Sequence, residues 1–317
     1  MAISGQGPGD DYLGPEASAH SAAEALAFPP KKPRSKKPLT PDQMAVLAKK
    51  LRRHVITIIG RAGSGHPGGS LSAVEIVTAL YFNVLCHDPA NPGWEDRDRL
   101  ILSKGHAAPL VYAALAECGY FPLKELETLR TLGSCLQGHC DATLTPGVEM
   151  SSGSLGQGLS FGIGVALAGR LDRRDYRVYV LLGDGECDEG QVWEAAMAGP
   201  HFSVRTGGSG VSKLDNLVAI VDHNKLQIDG WNSDVMNIEP LADKWRAFGW
   251  HTVEINGHDF DQVLGALDQA KEVKGKPTAI VAQTVKGKGV SFMEGNVDFH
   301  GKAPTPDEVE RALRELS

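Results

Sequence analysis

Five short runs of apolar and β-branched residues recur along the chain, separated by longer stretches with helical spacing. The runs are RLILS (99–103), YRVYVLLG (176–183), NLVAIVD (216–222), HTVEIN (251–256) and TAIVAQT (278–284). They are apolar throughout rather than alternating, as expected for strands that are buried on both faces. Strands that alternate with helices predict an α/β fold, with a doubly wound, mostly parallel sheet and helices on both faces.

The N-terminal segment differs from the rest of the chain. Residues 1–39 have no sustained apolar period, and the basic residues Lys31, Lys32, Arg34, Lys36 and Lys37 lie there among prolines. We expect residues 1–39 to form a disordered arm, and a targeting or nucleic-acid role for its basic cluster stays open. Thr40 and Pro41 suit a helix N-cap and the first helical turn, so residues 40–317 are predicted to form one domain.

Composition excludes several classes of protein. The net charge of −7 argues against a nucleic-acid binder, and no apolar run reaches the ~20 residues that a membrane span needs. Five cysteines without CxxC spacing indicate neither a disulfide framework nor a zinc site. We therefore expect a soluble cytoplasmic protein with reduced thiols and with no nucleic-acid or membrane partner.

Polar residues follow two of the predicted strands. Gly183-Asp184-Gly185 follows the second run, and Asn224 follows the third. Ligands of open α/β sheets bind beyond the carboxyl ends of strands, and Mg²⁺ takes a few oxygen ligands beside phosphate oxygens. Asp184, Asn224 and the Leu226 carbonyl are the candidate ligands for Mg²⁺ or another divalent cation such as Ca²⁺. The dipole of a helix predicted from Gly190 should favour a diphosphate there, although Gly-Asp-Gly alone also forms ordinary turns.

Four histidines stand beside glycine where the chain leaves a predicted element: His66, His106, His139 and His300. A loop histidine is often a solvated or capping residue. Four such residues together suit a site that moves protons near neutral pH and donates to phosphate oxygens. By contrast, Asp259 or His258 is predicted to cap a helix. The lysines of KGKG (286–289) suit a phosphate grip no better than a lysine-glycine turn, so they are left out of the candidate site.

Several longer motifs resemble one enzyme family. GDGECDEGQVWEAAMAG and LVAIVDHNKLQIDG resemble the thiamine diphosphate signature. SGHPGGSLS, LSKGHAAPLVYAAL, QGHCD, PGVEMSSGSLGQGLSFGIGVALA and KGKGVSFMEGNVDFHG are similar to transketolase motifs, so the likeness covers nearly all of residues 41–305. The resemblance implies a thiamine diphosphate-binding fold in a transferase of carbohydrate metabolism.

The resemblance also implies roles for individual residues. The metal ligands would be Asp184, Asn224 and the Leu226 carbonyl. The residues that contact the diphosphate would be Gly185, Asn224, His106 and His300. His66, His139 and His300 would be catalytic and face the substrate, and Gly153, Ser154 and Leu155 would contact the aminopyrimidine end of the cofactor. Glu189 would lie at a dimer interface near the activating glutamate.

The sequence departs from the family in three places. Ser154 stands where long transketolases commonly have proline, and the signature is lengthened by residues 203–212, which we expect to form a surface loop. No strand-helix series follows the terminal helix TPDEVERALREL to supply the activating glutamate. We therefore expect a split transketolase that is active only with a C-terminal subunit carrying the pyrimidine-binding and C-terminal domains.

The resemblance implies transfer of a two-carbon ketol unit between sugar phosphates by a heterotetramer with two copies of each subunit. Two alternatives stay open. One is another thiamine diphosphate enzyme, similar to deoxyxylulose phosphate synthase or to the alpha subunit of a 2-oxoacid dehydrogenase. The other is a non-catalytic scaffold that binds the cofactor. LSKGHAAPLVYAAL favours transketolase over the synthase.

Overall fold

The computed structural model describes residues 37–206 and 210–317. Its helices are α1 (Pro41–Ala62), α2 (Pro67–Ser72), α3 (Val74–Ala79), α4 (Ala108–Cys118), α5 (Gln157–Leu171), α6 (Gly190–His201), α7 (Asn232–Val235), α8 (Leu241–Ala247), α9 (Phe260–Glu272) and α10 (Pro306–Glu315). Its strands are β1 (Arg99–Leu102), β2 (Val178–Gly183), β3 (Ser203–Thr206), β4 (Gly210–Lys213), β5 (Leu217–His223), β6 (Leu226–Gln227), β7 (Gly230–Trp231), β8 (His251–Asn256) and β9 (Thr278–Gln283).

Five strands form the central sheet in the order β1-β2-β5-β9-β8, and every neighbouring pair is parallel. These are the five strands that the sequence predicts, so the predicted α/β fold class is confirmed. In the register of the sheet, Gly183 at the end of β2 stands opposite Asp222 in β5. The carboxyl ends of these two strands are therefore neighbours.

Apolar side chains cover both faces of the sheet. Tyr179 and Leu181 of β2 point into a core formed with α1, α3, α4 and α9, whereas Val178 and Val180 point into a core formed with α5, α6 and α8. Each large apolar side chain buried in this way contributes about 1.5–3 kcal/mol to the free energy of folding. Burial on both faces explains why the strand sequences lack alternation.

Helix α1 begins where the sequence predicts. The backbone N–H of Gln43 donates to Thr40 Oγ1 (3.3 Å), and Gln43 Oε1 accepts from the Thr40 N–H (3.0 Å), which forms a capping box. Leu39 already belongs to the fold, because its N–H donates to Asn83 Oδ1 (2.9 Å). Residues 1–36 of the predicted arm, with most of its basic cluster, lie outside the described residues.

Two predicted segments have a different local structure. Helical spacing in the sequence predicts one helix from Ser72 to about Leu85, whereas the structure has a helical segment that begins at Pro67, is interrupted at Ala73 and ends in a π-helical turn at Leu80–Val84. The loop predicted over residues 203–212 is largely an antiparallel pair, β3 with β4. The glycine-rich composition of residues 206–210 concealed the β-branched residues on each side of it, and residues 207–209 lie outside the described part.

Side-chain caps mark the start of the two C-terminal helices, α9 and α10. Asp259 accepts from the N–H groups of Asp261 (3.0 Å) and Gln262 (3.2 Å) at the start of α9, so the predicted capping role is confirmed. Thr305 forms a capping box with Glu308 at the start of α10. Across residues 37–206 and 210–317, no helix is both long and apolar enough to cross a membrane.

Candidate active site

A pocket of about 140 Å³ lies at the carboxyl edge of the sheet, where the ends of β2 and β5 meet. Seven separate stretches of the chain contribute to its wall. The lining residues are Gly69, Lys104, His106, Leu155, Gly183, Asp184, Gly185, Glu186, Asn224, Leu226, Gln227, Ile228, Lys286 and His300. All three predicted metal ligands are therefore brought together in one cavity.

Asp184 is the polar centre of this pocket. Its side chain is only 1% exposed, its Oδ1 accepts from the Gly185 N–H (2.8 Å), and its Oδ2 accepts from the N–H of Lys225. Asn224 lies on the adjoining strand end, where its Oδ1 accepts from the Leu226 N–H (3.1 Å). The two strand ends thus hold a carboxylate and an amide oxygen in fixed orientations.

Burial makes the charge of Asp184 costly. Burial, followed by repulsion from Asp222, raises the pKa of Asp184 to about 7. A cation beside the carboxylate would offset that cost, and one carboxylate with one amide and one carbonyl oxygen suits a hard cation that keeps phosphate and water ligands. The described residues contain no cluster of three or more His, Cys, Asp or Glu side chains arranged for a metal. Carboxylate, amide and carbonyl oxygens fit Mg²⁺ better than a transition metal.

Lys286 supplies a positive charge in the same pocket. Its buried Nζ donates to the Leu226 carbonyl oxygen (2.7 Å) and to His300 Nδ1 (2.7 Å). Burial lowers the pKa of Lys286 to about 8. Leaving both KGKG lysines out of the candidate site missed this residue, whereas Lys288 of the same motif is partly exposed and pairs with Glu294 (3.3 Å).

A buried ion pair links the pocket-lining Lys104 to Asp222 of β5. Lys104 is 1% exposed and Asp222 is 0% exposed, and Lys104 Nζ donates both to Asp222 Oδ2 and to the Gly69 carbonyl (2.7 Å). Burial raises the pKa of Asp222, but Lys104 and the hydroxyls of Ser72 and Thr284 outweigh it and lower the pKa overall. Sequence reasoning missed this pair; its only signal was a carboxylate at the end of a buried strand.

The four glycine-flanked histidines converge at the pocket, and two of them, His106 and His300, line it. The ring centroid of His66 lies 5.4 Å from that of His106, 5.9 Å from that of His139 and 5.7 Å from that of His300. The rings of His106 and His300 are 5.2 Å apart. Residues separated by more than two hundred positions in the sequence therefore form one cluster, as the sequence predicts.

These histidines are neutral near pH 7. Burial first, then Arg130, lowers the pKa of His66 to about 4, and burial with Lys286 lowers the pKa of His300 to about 3. Burial also lowers the pKa values of His106, beside Lys104, and of His139, beside Arg130. A neutral imidazole both donates and accepts hydrogen bonds, so the cluster is suited to hydroxyl and phosphate groups. His66 Nδ1 is buried without a hydrogen-bond partner among the described residues.

The segment Gly153–Leu155 reaches the site only in part. Leu155 lines the pocket, and a Cβ atom at Gly153 would lie 3.5 Å from His139 Cγ. Ser154 is exposed and does not line the pocket, and Glu189 is exposed at the N-cap of α6. No residue of α6 lines the pocket within the described chain, because the 3₁₀ turn Gly185–Asp188 intervenes. The predicted contribution of that helix dipole to the pocket stays a prediction.

Comparison with known proteins identifies the family of proteins that this chain resembles. Residues 43–317 match the family described as "Transketolase, thiamine diphosphate binding domain". The chain is 48% identical over 266 residues to the 6-deoxy-6-sulfo-D-fructose transketolase subunit SqwG of Clostridium sp. (strain MSTE9), covering 84% of this chain and 93% of that protein. It is 40% identical over 276 residues to a subunit of apulose-4-phosphate transketolase from Phocaeicola vulgatus, covering 87% and 94% respectively.

Solved structures agree with the sequence relatives. The transketolase of Campylobacter jejuni superposes with a TM-score of 0.79 at 33% identity, over 88% of this chain and 43% of that chain. This chain therefore spans less than half of the Campylobacter enzyme but nearly all of the two bacterial subunits. The chain belongs to the transketolase family and corresponds to its N-terminal, thiamine diphosphate-binding part.

Proposed function

We propose that this chain is the N-terminal subunit of a split transketolase, which transfers a two-carbon ketol unit from a ketose donor to an aldose acceptor. The observation that carries the proposal is the convergence of Asp184, Asn224 and the four histidines at one sheet edge. Two relatives of nearly equal length bear the names of transketolase subunits, which supports the division into two polypeptides.

Asp184, Asn224 and the Leu226 carbonyl would hold Mg²⁺, or another divalent cation such as Ca²⁺, and Gly185 would let the diphosphate approach the backbone. A side chain at Gly185 would collide with Gln227, since its Cβ would lie 2.7 Å from Gln227 Cβ. Thiamine diphosphate supplies a carbon nucleophile when it is bound. The protein supplies the positive charge of Lys104 and Lys286 beside that site.

The histidines divide between two tasks in this proposal. His106 and His300 line the pocket and would donate to diphosphate oxygens, whereas His66 and His139 do not line it and would contact the hydroxyls of the sugar. His300 would also serve the substrate, because its ring adjoins both His66 and His106. Neutral rings at these positions can exchange protons with hydroxyl and carbonyl groups without a change in the net charge of the resting site.

A second polypeptide would complete the site. We propose that a C-terminal subunit supplies the pyrimidine-binding domain and the activating glutamate, and that two copies of each chain form a heterotetramer. Exposed Glu189 would lie at that interface, next to Gly156, whose Cβ would be 2.8 Å from Glu189 Cβ. Gly153, Ser154 and Leu155 would face the aminopyrimidine ring across the same boundary.

Sugars with an anionic group are the proposed substrates. The relatives are named for a sulfosugar and for apulose-4-phosphate, and we extend only their shared feature, a sugar carrying an anionic group, to this chain. Sugar phosphates are the simplest members of that class. The cysteine spacing favours a reducing compartment, so a cytoplasmic location is part of the proposal.

Reconstitution tests the proposal. The tagged chain is purified with the protein that co-purifies with it, and ketol transfer is assayed with thiamine diphosphate and Mg²⁺ for each polypeptide alone and for both together. We expect turnover only in the mixture. Full activity of this chain alone would overturn the two-subunit proposal, and cofactor binding in the mixture without turnover on any sugar phosphate would favour a scaffold.

A further inference from the structure

A buried carboxylate connects two walls of the pocket. Glu186 Oε2 accepts from the Gly183 N–H (2.9 Å), and Glu186 Oε1 accepts from the Gly156 N–H (2.8 Å). Gly183 ends β2 next to Asp184, whereas Gly156 directly follows Leu155, which lines another part of the same pocket. One side chain that is 3% exposed therefore binds both backbone segments at once.

Ser103 adds a third segment to this bridge. Its hydroxyl donates to Glu186 Oε1 and accepts from the Gly158 N–H (3.1 Å). The N-cap residue of α5 is Gly156, which has no side chain with which to cap the helix. Its first N–H groups are satisfied instead by Ser103, just beyond β1, and by Glu186, just beyond β2, where a carboxylate also suits the positive end of the helix dipole.

The packing around the bridge leaves little room for adjustment. A Cβ atom at Gly158 would lie 2.4 Å from Ser103 Cβ, and one at Gly156 would lie 2.8 Å from Gln191 Cγ. The Leu155 carbonyl also accepts from Gln191 Nε2 (2.7 Å). The wall that carries Leu155 is therefore held at a fixed separation from the wall that carries Asp184.

We propose that Glu186, supported by Ser103, is a positioning residue that sets the distance between the diphosphate wall and the Leu155 wall of the pocket. The inference rests on the proposed function, in which the diphosphate lies by Asp184 and the aminopyrimidine end lies by Leu155. A ligand that spans both walls needs the bridge. A ligand confined to the Asp184 wall does not.

The test compares two probes, thiamine diphosphate and inorganic pyrophosphate, each with Mg²⁺, on the full chain together with its co-purifying partner. Glu186→Gln keeps the shape of the side chain but turns an NH₂ group toward a backbone N–H. We expect it to weaken thiamine diphosphate about 10-fold and pyrophosphate by less than about twofold. The apparent KM for the cofactor should rise by a similar factor, while kcat at saturating cofactor changes by less than about twofold.

Two further variants separate the possible outcomes. Glu272→Gln removes an exposed carboxylate at the end of α9, away from the pocket, and should bind both probes like wild type. Ser103→Ala should reproduce the selective loss in milder form, and the double variant should lose less than the sum of the two single effects, because one network is broken in each case. Ser103→Ala also provides the test if Glu186→Gln does not fold.

A purely structural cap predicts a different pattern. In that case the variants would unfold at a lower temperature but would keep the wild-type ratio of the two affinities, and this result would overturn the inference. Equal weakening of both probes would overturn it as well. If the wild-type complex bound no thiamine diphosphate, the proposed function itself would fail, whereas wild-type binding with unselective variants would refute the bridge alone.

Discussion

The carboxylate of Asp184 accepts a hydrogen bond from the backbone N–H of Lys225, which joins the end of β2 to the turn after β5. Lys225 has a φ of 68°, in the left-handed region that side chains other than glycine rarely adopt. Such a conformation costs on the order of 1 kcal/mol, and the surrounding contacts must maintain it. The strain at Lys225 is thus coupled to the orientation of the candidate metal ligand.

Removal of the Asp184 charge should abolish metal-dependent cofactor uptake. We expect Asp184→Asn to weaken thiamine diphosphate binding in Mg²⁺ by roughly 100-fold, because the amide retains the shape but not the charge of the ligand. Calorimetric titration measures the change. Asp229→Asn, which changes an exposed carboxylate in the turn between β6 and β7, serves as the matched control. An unchanged affinity in Asp184→Asn would remove the basis of the proposed function.

The two lysines of KGKG should behave differently. Lys286→Met removes the buried ammonium beside His300 and should weaken cofactor binding by about 10-fold. Because Lys286 helps to lower the pKa of His300, the pKa of that histidine should rise in the variant. NMR titration of the imidazole follows the second effect. Lys288→Met, at the partly exposed position, should match wild type in both measurements, and equal effects of the two substitutions would contradict the assignment.

The chain should lose stability as the pH falls from 6.5 to 4. His66 has a folded-state pKa of about 4, against 6.5 for an ordinary histidine, so the unfolded chain binds more protons in this window. After allowance for solvent screening at this partly exposed ring, His66 accounts for about 1 kcal/mol of the loss between pH 7 and pH 5.

Urea unfolding at the two pH values measures this effect. His66→Asn should reduce the loss of unfolding free energy by that amount, whereas His201→Asn, at an exposed position, should leave the pH dependence as it is in wild type. A His66→Asn variant with the full wild-type loss would show that this ring is not buried as a neutral group.

Helix α5 offers a matched pair of glycines. A Cβ at Gly162 would lie 2.5 Å from Val180 Cγ2 on the sheet, whereas a Cβ at Gly164 would meet no atom within 4 Å. Gly162→Ala should therefore lower the unfolding free energy by about 1–3 kcal/mol. Gly164→Ala should leave it unchanged or raise it by up to about 1 kcal/mol, since alanine is the better helix former. Urea midpoints of the isolated chain distinguish the two, and similar values would contradict the packing of α5 on β2.

Those features of the fold and site that depend on local pattern were predictable. Uniformly apolar strands mark burial on two faces, and the rule that ligands lie beyond strand ends selects Asp184 and Asn224 from the sequence alone. The convergence of the histidines followed from their position beside glycine at the ends of elements. Their individual chemical roles stay predictions.

The residues that were missed depend on tertiary packing. Lys104 and Asp222 matter because each is buried against the other, which no local pattern encodes. Lys286 and Lys288 have the same neighbours in sequence, and only the fold turns one inward. The bridge through Glu186 was equally hidden, since two of its three partners, Ser103 and Gly156, come from distant stretches of the chain.

Helix α5 is capped by residues of other elements, Ser103 and Glu186, and this has a consequence for biosynthesis. Residues 157–171 leave the ribosome before Glu186 does, so a nascent chain that ends within β2 exposes N–H groups at the start of this helix without their carboxylate partner. The helix can reach its final stability only after β1 and β2 have paired, which makes it a late and topologically dependent element of folding. A truncation before residue 186 would therefore be a target for proteolysis even though every residue of the helix is present.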